Sequence, residues 1–278
     1  MKEYAFRIVN VFTREGRLTG NPLAVIEDAT GLADATQQAL ARQFNLSETT
    51  FIFPSEKANA RVRIYTPAYE MPFAGHPTLG TAHVVRSLED AGDSLTLEMK
   101  AGIIPVEAKG DLWTLQANAP SSRPAGESAA DLAQVLGIEA DDVASPVLWV
   151  STGREQLVVP LKSAEAVRRV SPRAEPFARL RSEHGAAQVL AFADSGGAVE
   201  SRFFFPSGAA ILEDPATGSA CANLGGWFIA TGPGRDVERV VSQGEAVGRP
   251  STLHLAVRGG VVFVGGHVIE LGRGHISL

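Results

Sequence analysis

Pro72-Phe73-Ala74-Gly75-His76-Pro77-Thr78-Leu79-Gly80-Thr81-Ala82 is the stretch from which the rest of the chain is read. Pro77 suits the first turn of a helix, where the N–H that proline lacks would have no intrahelical acceptor. The helix continues through Val84, Val85 and Leu88, and its small residues Gly80, Thr81 and Ala82 predict close packing. A second stretch, Glu213-Asp214-Pro215-Ala216-Thr217-Gly218-Ser219-Ala220, opens another helix, with Ala222, Leu224, Trp227, Phe228 and Ile229 spread round it. A helix apolar nearly all round is a buried one. A helix N-terminus carries unpaired backbone N–H groups and roughly half a positive charge, so it attracts anions. Gly75-His76 precedes one start and Thr217-Gly218-Ser219 the other, with glycines that let a ligand approach the backbone. Taken singly, each is better read as a tight turn; the pairing brings the two readings level. If the two ends converge, they could clamp a substrate carboxylate.

The flanking sequence supplies mixed elements. Residues 8–12 and 23–26 read as short strands. Asp34 is a candidate cap for a helix whose Leu40 and Phe44 sit one turn apart, and Asn45 suits the left-handed residue that ends it. Residues 49–53 turn to strand and stop at Pro54, and residues 61–65 alternate polar and apolar as a strand with one wet face does. Residues 106–115 read as a hairpin around Lys109-Gly110-Asp111. Residues 119–130, rich in Pro, Ser, Gly and Ala, are the candidate linker. Beyond it come a helix at 131–136, strands at 147–150 and 156–159, a helix at 164–170, and strands at 189–192 and 201–205. The tail is strand-like, with turns expected at Arg258-Gly259-Gly260 and Gly265-Gly266. The pattern is that of two α+β halves without a fixed repeat period.

Composition removes several function classes. At 278 residues the chain is near the size at which single cores split into domains. The net charge is -6, and the local run Arg168, Arg169, Arg173, Arg179, Arg181 is broken by Glu165, Glu175 and Glu183. It reads as a solvated helix face, and no nucleic-acid footprint is expected. The single cysteine, Cys221, excludes an internal disulfide framework and a cysteine-based zinc cluster. No apolar run approaches the ~20 residues needed to span a bilayer, and the charged start has no secretory character, so a cytoplasmic protein without membrane contact is expected. Gly75 to Thr81 has the glycine spacing of a phosphate loop, but Thr81 stands where lysine is required. There is no G-x-S-x-G and no G-x-G-x-x-G. His76 and His83 are seven apart with no evident third ligand, so no metal is expected.

Three residues could move protons. Glu48 lies in Asn45-Leu46-Ser47-Glu48-Thr49-Thr50, where helix passes to strand. Desolvation beside apolar strands would raise its pKa toward neutrality and suit proton transfer; an exposed loop glutamate is the plainer alternative. Asp214, before a proline and a helix start, is either an acid or a turn former. His76 is either a proton shuttle or a satisfied core histidine.

These stretches, with Gly20-Asn21-Pro22-Leu23-Ala24-Val25 and Asn45-Leu46-Ser47-Glu48-Thr49-Thr50-Phe51, resemble the motifs of the PhzF-like (phenazine biosynthesis protein F) family, in family order over essentially the whole chain. Gln243-Gly244, Gly248-Arg249-Pro250-Ser251 and Gly272-Arg273-Gly274 match too. The resemblance implies an α+β, diaminopimelate-epimerase-like fold: two similar halves, each a curved, mostly antiparallel sheet wrapped around a central helix, with the active site in the cleft between them. The halves would be residues 1–118 with approximately 266–278, and residues 119–265. It also implies a homodimer, no organic cofactor, no metal, and a cofactor-independent isomerase that transfers a proton on a small carboxylate like trans-2,3-dihydro-3-hydroxyanthranilic acid. Glu48 would be the general acid/base, while His76, Asp214 and Ser219 contact substrate or relay protons. Asn21, Gly75, Pro77, Thr78, Thr217 and Gly218 would line the substrate.

Gly75 and Ser219 stand where related epimerases and racemases keep two catalytic cysteines. Cys221 lies two residues past Ser219, about 200° round a helix, which turns it away from Ser219's direction. Thiol-based racemisation is therefore set aside, and small core packing is the role expected of Cys221. Two rivals stay open: an isomerase or epimerase of another small acid, and a non-catalytic small-acid-binding or interaction module of the same fold. Retention of Glu48, His76, Asp214 and Ser219 argues against the module, which needs no acid/base.

Overall fold

The computed structural model describes residues 1–278, which divide into two compact units: Met1–Gln116 with Gly265–Leu278, and Ala117–Val264. The first unit contains β1 (Glu3–Val11), β2 (Asn21–Ile26), α1 (Asp34–Phe44), β3 (Glu48–Phe53), β4 (Ala60–Tyr65), β5 (Glu70–Met71), α2 (Gly75–Glu89), β6 (Ser94–Met99), β7 (Gly102–Lys109) and β8 (Leu112–Gln116). The second contains β9 (Ser121–Pro124), α3 (Ala129–Leu136), β10 (Leu148–Ser151), β11 (Glu155–Pro160), α4 (Ala164–Arg169), α5 (Ala174–Phe177), β12 (Arg181–Ser182), β13 (Gly185–Ala186), β14 (Val189–Asp194), β15 (Ala198–Ser207), β16 (Ala210–Asp214), α6 (Gly218–Thr231), β17 (Val237–Gln243) and β18 (Ser251–Arg258). The last strand, β19 (Val261–Ser277), begins in the second unit and ends in the first.

In the first unit β1 pairs antiparallel with β2, β2 parallel with β3, β3 antiparallel with β4, β4 parallel with β6, and β6, β7 and β8 run as successive hairpins. β19 pairs with both β8 and β1, which closes the sheet round α2. The helix packs against β1, β2, β3, β4, β6 and β8. Its small residues explain how it fits: a Cβ on Gly80 would lie 2.7 Å from Leu23, 2.9 Å from Val11 and 3.1 Å from Val9. The period of two in a strand assigns the faces. Phe51 and Phe53 of β3 join Ile26, Leu40, Ala41 and Tyr65 in a cluster under α1. Thr50, on the other face, has its hydroxyl 2.8 Å from that of Thr81 on α2.

In the second unit β9, β10 and β11 are antiparallel neighbours, β11 runs parallel to β14, β15 pairs with β14, β16 and β17, and β17 pairs with β18. One face carries α3, α4 and α5 over a core that includes Leu136, Trp149, Leu157, Val167, Phe177 and Phe204. α6 packs against β9, β10, β11, β17 and β18. Gly225 and Gly226 permit this, since Cβ atoms there would stand 2.6 Å from Val262 and 2.7 Å from Val150.

Three local expectations are corrected. Asp34 is the first helical residue, after Ala33 in extended geometry, and its carboxylate binds the Arg63 guanidinium instead of capping α1. Residues 119–130 are not a free linker: Ser121–Pro124 is a strand paired with β10, and Arg123 holds the buried Glu155 through two bonds of 2.8 and 2.9 Å. Gly265-Gly266 makes no turn, because β19 runs straight through both. They are glycines because a Cβ would lie 2.7 Å from the Trp113 carbonyl oxygen at Gly265 and 2.3 Å from the Phe12 ring at Gly266. Asn45 does end α1 in the left-handed region, at φ 52°.

Candidate active site

The same alternation that sends Phe51 toward α1 points Glu48 toward the start of α2. There Glu48 Oε2 lies 3.2 Å from His76 Nδ1, with side-chain exposures of 15% and 6%. Gly20-Asn21-Pro22 supplies the other wall. Gly20 sits at φ 76°, and a Cβ would lie 2.4 Å from the Val11 carbonyl oxygen, so only glycine turns the chain here. That turn buries Asn21, whose Oδ1 accepts from Ser47 Oγ at 3.4 Å, and brings the Pro22 carbonyl to the His76 ring as acceptor.

Burial pushes His76 down to about 3, against the smaller upward pull of the Pro22 carbonyl. The imidazole is therefore neutral near pH 7. Its Nε2 is buried with no hydrogen-bond partner, so the ring proton belongs on Nδ1, the edge facing Glu48. α2 begins at Gly75 after Ala74, which offers no side-chain cap, and the first-turn N–H groups keep their affinity for an anion. Pro77 and Thr78 are buried; the Thr78 hydroxyl and N–H both go to the Ala74 carbonyl, at 2.7 and 3.2 Å. Their place is thus in the architecture of the helix start, whereas Gly75, His76, Glu48 and Asn21 converge.

The second unit assembles its own group. Asp214 ends β16, and its Oδ2 accepts from Thr217 Oγ1 at 2.5 Å. Gln243, 2% exposed, locks this turn: its Nε2 donates to the Asp214 carbonyl at 2.8 Å and to Thr217 Oγ1 at 3.0 Å, and its Oε1 accepts from Thr217 N at 3.2 Å. Gly244 has φ 84°, and a Cβ would lie 2.5 Å from the Pro215 carbonyl oxygen, which accounts for glycine beside Gln243. α6 starts at Gly218 without a side-chain cap, and Ser219 is exposed there. Its Oγ accepts from Gln156 Nε2 at 3.1 Å. Cys221 is buried, and burial pushes its thiol up, so it packs as a small neutral group. No group of three or more His, Cys, Asp or Glu side chains is placed to hold a metal ion. Sequence reading passed over Gln156 and Asn223 and gave Gln243 no role. The available signals were amides inside an otherwise apolar buried strand and helix.

The family model described as phenazine biosynthesis-like protein (PhzC-PhzF) matches residues 9–269. The chain belongs to this family. Among its PhzF-family relatives, the trans-2,3-dihydro-3-hydroxyanthranilate isomerase of Pseudomonas fluorescens is 35% identical, with 94% of this chain and 95% of that protein covered. The crystal structure of a Bacillus anthracis phenazine biosynthesis protein of the PhzF family superposes with a TM-score of 0.89, at 26% identity and 100% coverage of both chains. A hydroxyproline epimerase from Agrobacterium vitis shares the fold at a TM-score of 0.62 and 13% identity, covering 99% of this chain and 93% of that one. The PhzF-family chain described here is an isomerase with an epimerase-like fold. No helix in it is long and apolar enough to cross a membrane.

Proposed function

We propose that this isomerase moves a proton between carbons of a small cyclic amino-acid carboxylate, of the dihydro-hydroxyanthranilate class, with Glu48 as the acid/base and with neither metal nor organic cofactor. The observation that carries the reading is the Glu48 carboxylate 3.2 Å from a buried imidazole at an uncapped helix start. The backbone N–H groups of Gly75 and His76 take the substrate carboxylate. Glu48, ionised, removes a proton from one allylic carbon. The electron pair of that C–H bond forms a new double bond as the old one shifts. A proton then returns to the far carbon from Glu48 itself, so none is gained or lost overall; if Asp214 delivers it instead, exchange with solvent afterwards resets both carboxyls. His76, neutral, stands 3.2 Å from Glu48 with the Pro22 carbonyl as its ring's acceptor, and offers no net charge of its own. Asn21 steadies the Glu48 loop through Ser47; Thr217, Gly218 and Ser219 are the second unit's substrate contacts in this reading. The expected setting is a cytoplasmic homodimer, by likeness to the family.

The test is proton NMR in deuterated water with trans-2,3-dihydro-3-hydroxyanthranilate as probe. Wild type incorporates deuterium at carbon. Glu48→Gln keeps the shape and removes the base, and loses about 10²–10⁴-fold in rate while its thermal unfolding is little changed. A Glu48→Gln protein that exchanges at the wild-type rate refutes Glu48 as the acid/base.

A further inference from the structure

Ser219 is held by a chain of amides whose direction can be worked out from backbone groups alone. The start is Asn223, fully buried on α6 one helical turn beyond Ser219. Its Oδ1 accepts from Thr152 N and Thr152 Oγ1, both at 2.8 Å. Its Nδ2 donates to the Arg154 carbonyl at 3.0 Å and to Gln156 Oε1 at 2.7 Å. A backbone N–H can only donate and a carbonyl can only accept, so the Asn223 amide has one permitted orientation. That fixes the next amide. Gln156, also fully buried, must present Oε1 to Asn223, leaving Nε2 to donate. Its two N–H groups go to Gln188 Oε1 at 3.2 Å and to Ser219 Oγ at 3.1 Å. Ser219 is exposed and receives this bond on one oxygen lone pair. Its own proton must therefore point away from Gln156.

We propose that Gln156 and Asn223 are positioning residues that make Ser219 a hydrogen-bond donor to an anionic oxygen of the substrate. The polarity has a chemical consequence. An N–H aimed at Oγ stabilises negative charge on that oxygen, so the hydroxyl donates more strongly and is a poor base. Two buried amides held by six backbone or side-chain bonds cannot turn over without leaving a buried group unpaired. The relay therefore excludes the reversed arrangement, in which the hydroxyl points inward and only lone pairs face the ligand. That Ser219 touches substrate rests on the function proposed above; the relay itself rests on the hydrogen bonds.

Gln156→Glu reverses the polarity at a single atom. Ionised, the new carboxyl accepts from both Asn223 and Ser219, pulling the hydroxyl proton inward; protonated, it can donate to Ser219 as the amide does. Deuterium exchange into trans-2,3-dihydro-3-hydroxyanthranilate should fall at least tenfold in kcat at pH 8 and recover as pH drops through the new carboxyl's titration, a recovery absent from wild type. Asn223→Asp, which forces the Gln156 amide to turn over, should show the same loss at pH 8 and stands in where the first variant does not fold. A substrate-free measurement completes the set. In the Gln156→Glu background, adding Ser219→Ala should raise the new carboxyl's titration, read by carbon-13 NMR, by roughly one pH unit, since a donor is removed. A titration indifferent to Ser219 overturns the relay. Rates and pH profiles like wild type in both reversing variants overturn the positioning role. A wild type that exchanges nothing while the carboxyl still responds to Ser219 supports the relay and refutes the proposed substrate class.

Discussion

His76 should stay neutral in the folded protein to a pH far below the usual imidazole range, and this should be readable as stability. Burial holds its folded value near 3 against about 6.5 for the free side chain. Between those two values the unfolded chain binds a proton that the folded chain does not. Unfolding is then favoured as pH falls, and the contribution of His76 is fully present above 6.5 and lost progressively below it. Each pH unit in the window is worth about 1.4 kcal/mol. From pH 6.5 to 4.5 the loss is therefore about 3 kcal/mol. Glu48 opposes this, because an ionised carboxylate 3.2 Å from Nδ1 favours imidazolium. With the ring 6% exposed and Nε2 without a partner, the desolvation cost of a full charge is the larger effect. The assay is urea unfolding of wild type and His76→Gln at pH 7 and pH 4.5. The double difference cancels titrating groups that do not touch His76, and the advantage of wild type should shrink by about 3 kcal/mol. NMR of the ring should show no titration between pH 8 and 4.5. A ring that titrates at or above 6.5, with an unchanged double difference, would mean that Glu48 and His76 form an ion pair and that the neutral-imidazole mechanism is wrong.

Two further substitutions test the packing that carries the site. Gly80→Val drives a branched side chain into Leu23, Val11 and Val9, already within 3.1 Å of a Cβ, and should cost about 3 kcal/mol in chemical unfolding, with a cost under 1 showing that α2 is loosely held. Glu213→Ala leaves Arg202, at 15% side-chain exposure, without its two-bond carboxylate partner beside Asp214, and should cost roughly 3 kcal/mol; a melting temperature equal to wild type would show that the Val170 carbonyl alone satisfies the guanidinium.

The helix starts were legible because their signals are local. Pro77 in a first turn, glycines before it, and a run of small residues each have a cause within a few positions. The C-terminal end of α1 at Asn45 was legible for the same reason. What failed was local reading of residues chosen for distant partners. Gly265-Gly266 has the composition of a turn, yet it was selected by Trp113 and Phe12, about 150 and 250 positions away in the chain. Asp34 looks like a cap because aspartate often is one, but Arg63 on β4 has the stronger claim on a carboxylate. In 119–130 the turn-forming composition masked a short paired strand.

The candidate site shows the same division at finer grain. Glu48 could be named from its motif, but its direction could not, since both faces of β3 are buried and the alternation of polar and apolar residues that marks a half-wet strand is absent. The contacts of Thr50 with Thr81 and of Glu48 with His76 identify the face that looks onto α2. Ser219 could likewise be named, but which way its proton points depends on Gln156, then Asn223, then the backbone at Thr152 and Arg154. The motif residues bring oxygen and nitrogen atoms to the site. The direction of the hydrogen bonds at Thr217 and Ser219 is imposed by buried amides outside the helix-start motifs, and for an isomerase whose proposed chemistry is proton placement, direction is the property that separates a donor from a base.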